Sequence, residues 1–302
     1  MDIAIIGLGR MGMNMAKRLM SQGHRVVAYN RSREKTDLLA SEGAKAAYTL
    51  PQVVASLSRP RIIWLMLPSG KPADDHIEAL SDLLSPEDII VEGGNSNFKD
   101  DIRRAAALAE KGIRYMDAGV SGGIWGLRAG YCMMLGGDRQ TFHELEPVFR
   151  SLAPEGGYLY CGPTGAGHFV KMVHNGIEYA MMQAYGEGFE ILESSPYAAF
   201  FNYSDIARLW NRGSVIRSWL LELAEEAFRK DPKLSAIRGY VEDSGEGRWT
   251  ASQAIETGVP AELITLSLLR RFRSRQTDPF ADRLIATLRR EFGGHTAFPA
   301  DS

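Results

Sequence analysis

Four polar side chains fall close together in the middle of the chain. They are Lys171, His174, Asn175 and Glu178, within Lys171-Met172-Val173-His174-Asn175-Gly176-Ile177-Glu178-Tyr179. Spacing of i, i+3, i+4 and i+7 puts all four on one face of a helix. Val170, Val173, Ile177, Ala180 and Met181 fall to the other side and can pack. A polar face beside the glycine-rich stretch Gly162-Pro163-Thr164-Gly165-Ala166-Gly167 suggests the wall of a cleft. The same spacing also suits a solvated face with a Lys–Glu pair. Gly176 favours the cleft, because glycine in mid-helix costs about 1 kcal/mol relative to alanine. Something is expected to approach the helix closely there.

A second chemical pattern opens the chain. Gly7-Leu8-Gly9-Arg10-Met11-Gly12 is G-x-G-x-x-G, leaving an apolar strand pattern and entering a helical one. In that context the glycines allow a tight turn, and the helix N-terminus offers unpaired N–H groups to a dinucleotide pyrophosphate. The next strand pattern ends at Tyr29-Asn30-Arg31-Ser32. An NAD site normally carries Asp or Glu there to bind the ribose 2′-hydroxyl. Asn30 and Arg31, with Arg33 nearby, suit a 2′-phosphate instead, so NADP is expected, with NAD as the alternative. The cofactor set is Gly7, Gly9, Arg10, Met11, Gly12, Asn30, Arg31 and Ser32, with Leu67, Pro68 and Asn95 at later strand ends.

The elements that must position these residues can be read from periodicity. Strand patterns cover residues 2–6, 25–29, 61–67, 88–91, 113–117 and 131–135, and helical ones cover 11–21, 99–111 and 138–151. Their alternation implies βαβ units and a mainly parallel sheet. Turn residues punctuate the chain at Glu155-Gly156-Gly157 and again at 162–167, and no strand pattern stands out after the change near Glu155. Helical patterns follow at 168–193, 203–229, 247–257, 260–275 and 279–292. The expected fold is an α/β Rossmann-type N-terminal domain, residues 1–163, then an all-α domain, 164–302, ending in a tail from 289.

Composition excludes several classes. The chain has 302 residues, 45% hydrophobic and 24% charged, with formal net charge -2. That fits two globular domains and gives no long-range pull toward nucleic acid or anionic membrane. No apolar run approaches the roughly 18 residues of a membrane span, and the N-terminus lacks the basic flank of a signal peptide. Cys132 and Cys161, the only cysteines, form neither a disulfide framework nor a zinc motif. A cytoplasmic home is expected, and no His/Cys/carboxylate cluster stands at metal-ligand spacing.

Residues 171–179 (KMVHNGIEY) resemble the signature of the decarboxylating 6-phosphogluconate dehydrogenases, within the β-hydroxyacid dehydrogenase superfamily. Gly94-Asn95-Ser96-Asn97, Val120-Ser121-Gly122-Gly123, Gly247-Arg248-Trp249-Thr250 and Phe292-Gly293-Gly294-His295-Thr296 match further motifs in the family's order, almost from end to end. The chain has no room for the extra helical repeat of the long form and is similar to the short bacterial form. The resemblance implies oxidative decarboxylation of 6-phosphogluconate to ribulose 5-phosphate and CO2. It implies Lys171 as general base and Glu178 as general acid. It also implies substrate contacts from Asn95, Ser121, Gly122, Gly123, His174, Asn175, Tyr179 and Arg271. Arg289 and His295 would be lent by a neighbouring subunit, which implies a homodimer or homotetramer with shared sites. Ser244 and Glu246 depart from the long form, which has lysine and threonine there, and this bears on substrate affinity.

Two other functions fit parts of the sequence. A 3-hydroxyacid dehydrogenase of the 3-hydroxyisobutyrate type would share the fold, the cofactor turn, the Ser-Gly-Gly turn and a helix lysine. His174-Asn175, Glu178, Arg289 and His295 argue against it. A non-catalytic interaction protein on the same fold is a different class, and the presence of Lys171 argues against that.

Overall fold

The structure, a computed structural model, describes residues 1–294, 296 and 298. His295 lies outside the described residues. Contacts divide the chain into two compact units, Met1–Asn175 and Gly176–Ser302.

The first unit is built around an eight-stranded sheet. In chain order its elements are β1 (Asp2–Ile6), α1 (Arg10–Ser21), β2 (Arg25–Tyr29), α2 (Arg33–Ser41), β3 (Lys45–Ala46), α3 (Leu50–Ala55), β4 (Ile62–Leu65) and α4 (Lys71–Ser81). Then come β5 (Ile89–Glu92), α5 (Phe98–Ala109), β6 (Arg114–Ser121), α6 (Gly126–Ala129), β7 (Cys132–Gly137), α7 (Arg139–Leu152), β8 (Tyr158–Gly162) and α8 (Ala166–Glu193). Strand order is β3-β2-β1-β4-β5-β6-β7-β8. Strands β1 to β6 are parallel, whereas β7 runs antiparallel to β6 and β8 parallel to β7. Consecutive strands part company at β1 and β4, the switch point where α/β sheets bind ligands.

Both sheet faces are covered, and the strands alternate between two cores. Ile3, Ile5, Ala28, Trp64 and Val91 enter one. Ala4, Ile6, Val27, Ile63 and Ile90 enter the other. Nearly continuous apolar strands follow from burial on both sides. Helix starts have local causes. Thr49 accepts from the Gln52 amide at 3.3 Å at α3, Asn97 from Lys99 at 2.9 Å at α5, and Asp138 from Thr141 at 2.8 Å at α7. Each satisfies an N–H that a helix start leaves unpaired.

Three expectations need correction. Strand β8 lies beyond Glu155, where no strand pattern stood out. It is a five-residue edge strand ended by Gly162, with Leu159 two-thirds exposed, so it lacks a long apolar run. The pattern read as one helix over 203–229 is two, α9 (Tyr203–Trp210) and α10 (Trp219–Lys230). Asn211 and Gly213 (φ 79°) break it, and Ser218 caps α10 by accepting from Leu221. On α8, Val170, Ile177 and Met181 do not pack: they are 38–50% exposed, while Lys171 and Asn175 are buried. Here the polar stripe is the inner one, and periodicity alone cannot tell which stripe faces in.

The turn cluster at 162–167 marks where β8 ends and α8 begins. The division between compact units falls later, inside α8, because a helix can leave one unit and enter the next. The second unit continues with α9, α10, α11 (Glu246–Thr257), α12 (Glu262–Ser274) and α13 (Phe280–Gly293). Phe189 of α8 packs on Tyr203, Trp210 and Phe228. Gly176 is approached by α11 and α12: a Cβ there would stand 2.9 Å from Thr250 and 3.2 Å from Ile264. Helix α13 buries none of its residues. No described helix is long and apolar enough to cross a membrane.

Candidate functional site

The glycine-rich turn joins β1 to α1 at the switch point. Gly7 has φ 98° and its missing side chain admits the Met66 carbonyl after β4. Gly12 is buried against the Gly7 carbonyl, where any Cβ would collide. Gly9 differs, since nothing lies within 4 Å of where its Cβ would stand. It is the N-cap of α1 and supplies no side-chain hydrogen bond to the helix start. Two glycines therefore close the turn, and the third leaves the helix N-terminus open. That is the form a pyrophosphate cradle requires, so the residues fit a dinucleotide.

Neighbouring strand ends converge on this turn. Leu67 stands 3.1 Å from the Cβ position of Gly7, and its carbonyl lies 2.5 Å from that of Gly94. The loop carrying Asn95, which is exposed, thus sits beside Leu67 and the exposed Pro68. Asn30 Oδ1 accepts from the Leu8 amide at 2.9 Å, and its Nδ2 donates to the Ser32 carbonyl at 3.2 Å. Asn30 thereby braces the turn, a role its sequence position did not reveal. Arg10, Arg31 and Ser32 are exposed and Met11 half-buried. Asn14 of α1 donates to the Ile124 carbonyl at 3.2 Å. That bond ties the cofactor helix to the turn after Ser121-Gly122-Gly123, and sequence reasoning passed over it. Gly122 has φ 137° with Tyr131 3.1 Å from its Cβ position, and Gly123 has φ 52°. Ser121 ends β6.

Lys171 lies on the inner face of α8 and is 6% exposed. Gly119 of β6 makes room for its stem: a Cβ at Gly119 would collide with Lys171 Cβ. Asn175 is buried too, and its Oδ1 lies 3.0 Å from His174 Nδ1. Beneath Lys171, Asp117 of β6 accepts from the Gly165 and His168 amides at 2.7 and 2.8 Å. A carboxylate there caps α8 and sits at the positive end of its dipole. Burial nevertheless pushes the Asp117 carboxyl up, offset in part by His168 and those amides.

In the second unit, Tyr179 is the focus. The Arg271 guanidinium lies 3.4 Å from its ring centroid and donates to the Glu242 carbonyl at 2.8 Å. The Tyr179 hydroxyl is 3.3 Å from Ser244 Oγ, which donates to Glu246 Oε2 at 2.6 Å. Gly247 leaves space for the ring, 2.7 Å from its Cβ position. The two residues that depart from the long form, Ser244 and Glu246, thus form one network with Tyr179, and Glu246 is buried. Glu178 is half-buried. Arg289 is exposed on α13 and makes none of these contacts.

The structure also gathers Glu92, Asp101 and His168, whose ligating atoms lie within 4.8 Å of one another. No motif spacing reveals this group, because its members come from β5, α5 and α8. Its one sequence signal is that His168 precedes Lys171 by three residues and so extends the polar stripe.

A doubly wound sheet with an open G-x-G-x-x-G turn at its switch point, followed by a helical unit, defines a dinucleotide-dependent oxidoreductase. Comparison narrows the class. Residues 2–162 match the NAD-binding domain of 6-phosphogluconate dehydrogenase, and residues 167–291 match its C-terminal domain. The chain belongs to the 6-phosphogluconate dehydrogenase family. YqeC of Bacillus subtilis is 48% identical over 295 residues, 98% of each chain. The NAD(+)-dependent, decarboxylating 6-phosphogluconate dehydrogenase of Haloferax volcanii is 44% identical over 298 residues, again 98% of each. Among solved structures, the Plasmodium falciparum 6-phosphogluconate dehydrogenase, determined with NADP+ and with 6-phosphogluconate, matches at TM-score 0.83 and 27% identity. That match covers 100% of this chain and 67% of the other. The Mycobacterium tuberculosis 3-hydroxyisobutyrate dehydrogenase shares the fold at TM-score 0.71 and 22% identity, over 95% of this chain and 99% of that one.

Proposed function

We propose that this chain oxidises and decarboxylates 6-phosphogluconate to ribulose 5-phosphate and CO2, using NADP or alternatively NAD. The observation that carries the reading is the buried Lys171, set on the inner face of α8 against Gly119. A general base needs the neutral amine, and burial favours it. Lys171 takes the proton of the C3 hydroxyl. When bound, the nicotinamide supplies the hydride acceptor. The resulting ketone is β to the carboxylate, so it accepts the electron pair released as CO2 leaves. Lys171 returns its proton to that oxygen, giving an enediol, and Glu178 protonates C1.

The remaining residues bind. Gly7, Gly9 and Gly12 hold the dinucleotide, with Arg10, Met11, Leu67, Pro68 and Asn95 lining it. Asn30, Arg31 and Ser32 meet the adenosine ribose. Asn95, Ser121, Gly122, Gly123, His174, Asn175 and Tyr179 contact the sugar acid. Arg271 holds its phosphate, joined by Arg289 and His295 of a second copy. The exposed face of α13 supports such an assembly: Phe280, Leu284, Ile285, Leu288 and Phe292 are 45–78% exposed along one side. A face of that kind marks an interaction surface. The free thiols of Cys132 and Cys161 support a reducing, cytoplasmic setting.

The test is initial rate with 6-phosphogluconate, with NADP and NAD scanned separately and CO2 trapped. Stoichiometric CO2 is the expected result, with kcat/KM higher for NADP. No turnover with either cofactor, but oxidation of non-phosphorylated 3-hydroxyacids, would replace the reading with the 3-hydroxyisobutyrate type.

A further inference from the structure

Five buried charges of the first unit lie together, and the steps above use none of them. Glu92, Asp101 and Asp117 are fully buried, and Arg104 and His168 nearly so. A buried charge is costly unless it is paired and hydrogen-bonded, so their convergence calls for a reason.

His168 joins them. Its Nε2 lies 2.9 Å from the Gly94 carbonyl oxygen. A carbonyl only accepts, so Nε2 carries a hydrogen. Its Nδ1 lies 2.7 Å from Asp101 Oδ2, an oxygen of a side chain that two further donors, the Tyr115 hydroxyl and Arg104, also face. A ring that donates from both nitrogens is an imidazolium. The other Asp101 oxygen accepts from the Tyr115 hydroxyl at 2.7 Å, and Arg104 stands 3.8 Å from it. Glu92 Oε2 lies 3.7 Å from Nε2, and Asp117 accepts the His168 amide. Those are the titratable groups facing the ring from β5, α5 and β6. Burial works against the charged ring, but Asp101 first, then Glu92 and Asp117, outweigh it and hold the proton up to about 10. Glu92, Asp101 and His168 group as cation ligands do. With both nitrogens donating, however, the ring has no lone pair to give a metal.

The ring's bonds link functional elements. Gly94 precedes Asn95, and His168 stands one helical turn before Lys171. Asp117 holds the start of the same helix to β6, which ends at Ser121. We propose that His168 is a positioning residue for this site: a permanently protonated clamp that fixes Lys171 relative to the Gly94-Asn95 loop and keeps a positive charge one turn from the amine. A neighbouring cation favours the neutral amine, so the clamp would set both the place and the readiness of the base. The inference rests on the reading of Lys171 as the proton acceptor.

Two measurements test it. The first is 15N NMR of the full-length protein labelled at its six histidines, titrated from about pH 6 to 9, with H168Q identifying the signal. His168 is expected to show two protonated nitrogens throughout. A neutral ring at about pH 7 would overturn the clamp, and this measurement needs no variant to fold well. The second is the kinetics of H168Q, which can keep a donor toward Gly94 but carries no charge. Its kcat is expected to fall about 100-fold, as for a misplaced catalytic group, with KM values within about threefold. The acidic limb of its kcat profile should move to higher pH. A purely structural histidine would leave that limb in place, and an unmoved limb overturns the proposal. Failure of the underlying reading looks different: K171M would then keep turnover, whatever the state of the His168 ring.

Discussion

Lys171 is buried on α8 while Val170 and Ile177 of the same helix are exposed, and it is the residue proposed to accept the proton. Replacing it with Met keeps the stem that packs against Gly119 and removes the amine. K171M is expected to lose about 10³-fold or more in kcat, with cofactor affinity by fluorescence titration unchanged. R271A removes both the stack on Tyr179 and the proposed phosphate contact. It should chiefly raise KM for 6-phosphogluconate, by about 10- to 100-fold as for a charge-assisted hydrogen bond, and steady-state kinetics check it. His168 carries a pH prediction. Its pKa is raised from 6.5 to about 10 in the folded protein. Its contribution to stability is therefore complete below about pH 6.5 and lost as pH rises toward 10. Urea unfolding at pH 7 and 9.5 should show a loss on the order of a few kcal/mol that H168Q does not share. Lys171, His174, Asn175 and Glu178 were legible because they share one helix and a spacing rule. The partners of His168 were not, since Glu92, Asp101 and Asp117 lie on three other elements and meet it only through the sheet.

Helix α8 shows what element-level reading can reach. The mid-helix Gly176 predicted a close approach, and Thr250 and Ile264 make it. A methyl there would gain about 1 kcal/mol of helix propensity but press on two side chains of packed helices, where overpacking costs about 1–3 kcal/mol. G176A is thus expected to destabilise. Gly186 in the same helix has nothing within 4 Å of its Cβ position, so G186A should stabilise by up to about 1 kcal/mol. Opposite signs of the shift in thermal midpoint check the pair. Except for the two-residue β3, which carries no apolar run, the strands of the first half were legible from apolar runs buried on both faces. Strand β8 was not, because a short edge strand with an exposed Leu159 carries no such run. The break between α9 and α10 was missed because apolar Val215 and Ile216 continue the pattern through a turn, and both are exposed. Nor did periodicity show which stripe of α8 faces inward, since both stripes repeat with the same period.

At the scale of the whole molecule, α13 stands out, a 14-residue helix with no buried residue and one apolar side. If that side seats a second copy, the paired substitutions Ile285→Asp and Leu288→Asp should yield monomers in light scattering and lower turnover with it. Unchanged mass would remove the argument for a second copy there.

That uncovered helix has a genetic corollary. If it carries Arg289 into another subunit's site, a subunit lacking Lys171 and one lacking Arg289 are each inactive alone, yet they repair one another when mixed. The K171M–R289A hybrid concentrates both lesions in one site and leaves the other intact. Random pairing in a dimer then restores roughly a quarter of all sites. Two defective alleles that complement within one cell would show that the unit of inheritance and the unit of catalysis in this protein are not the same chain.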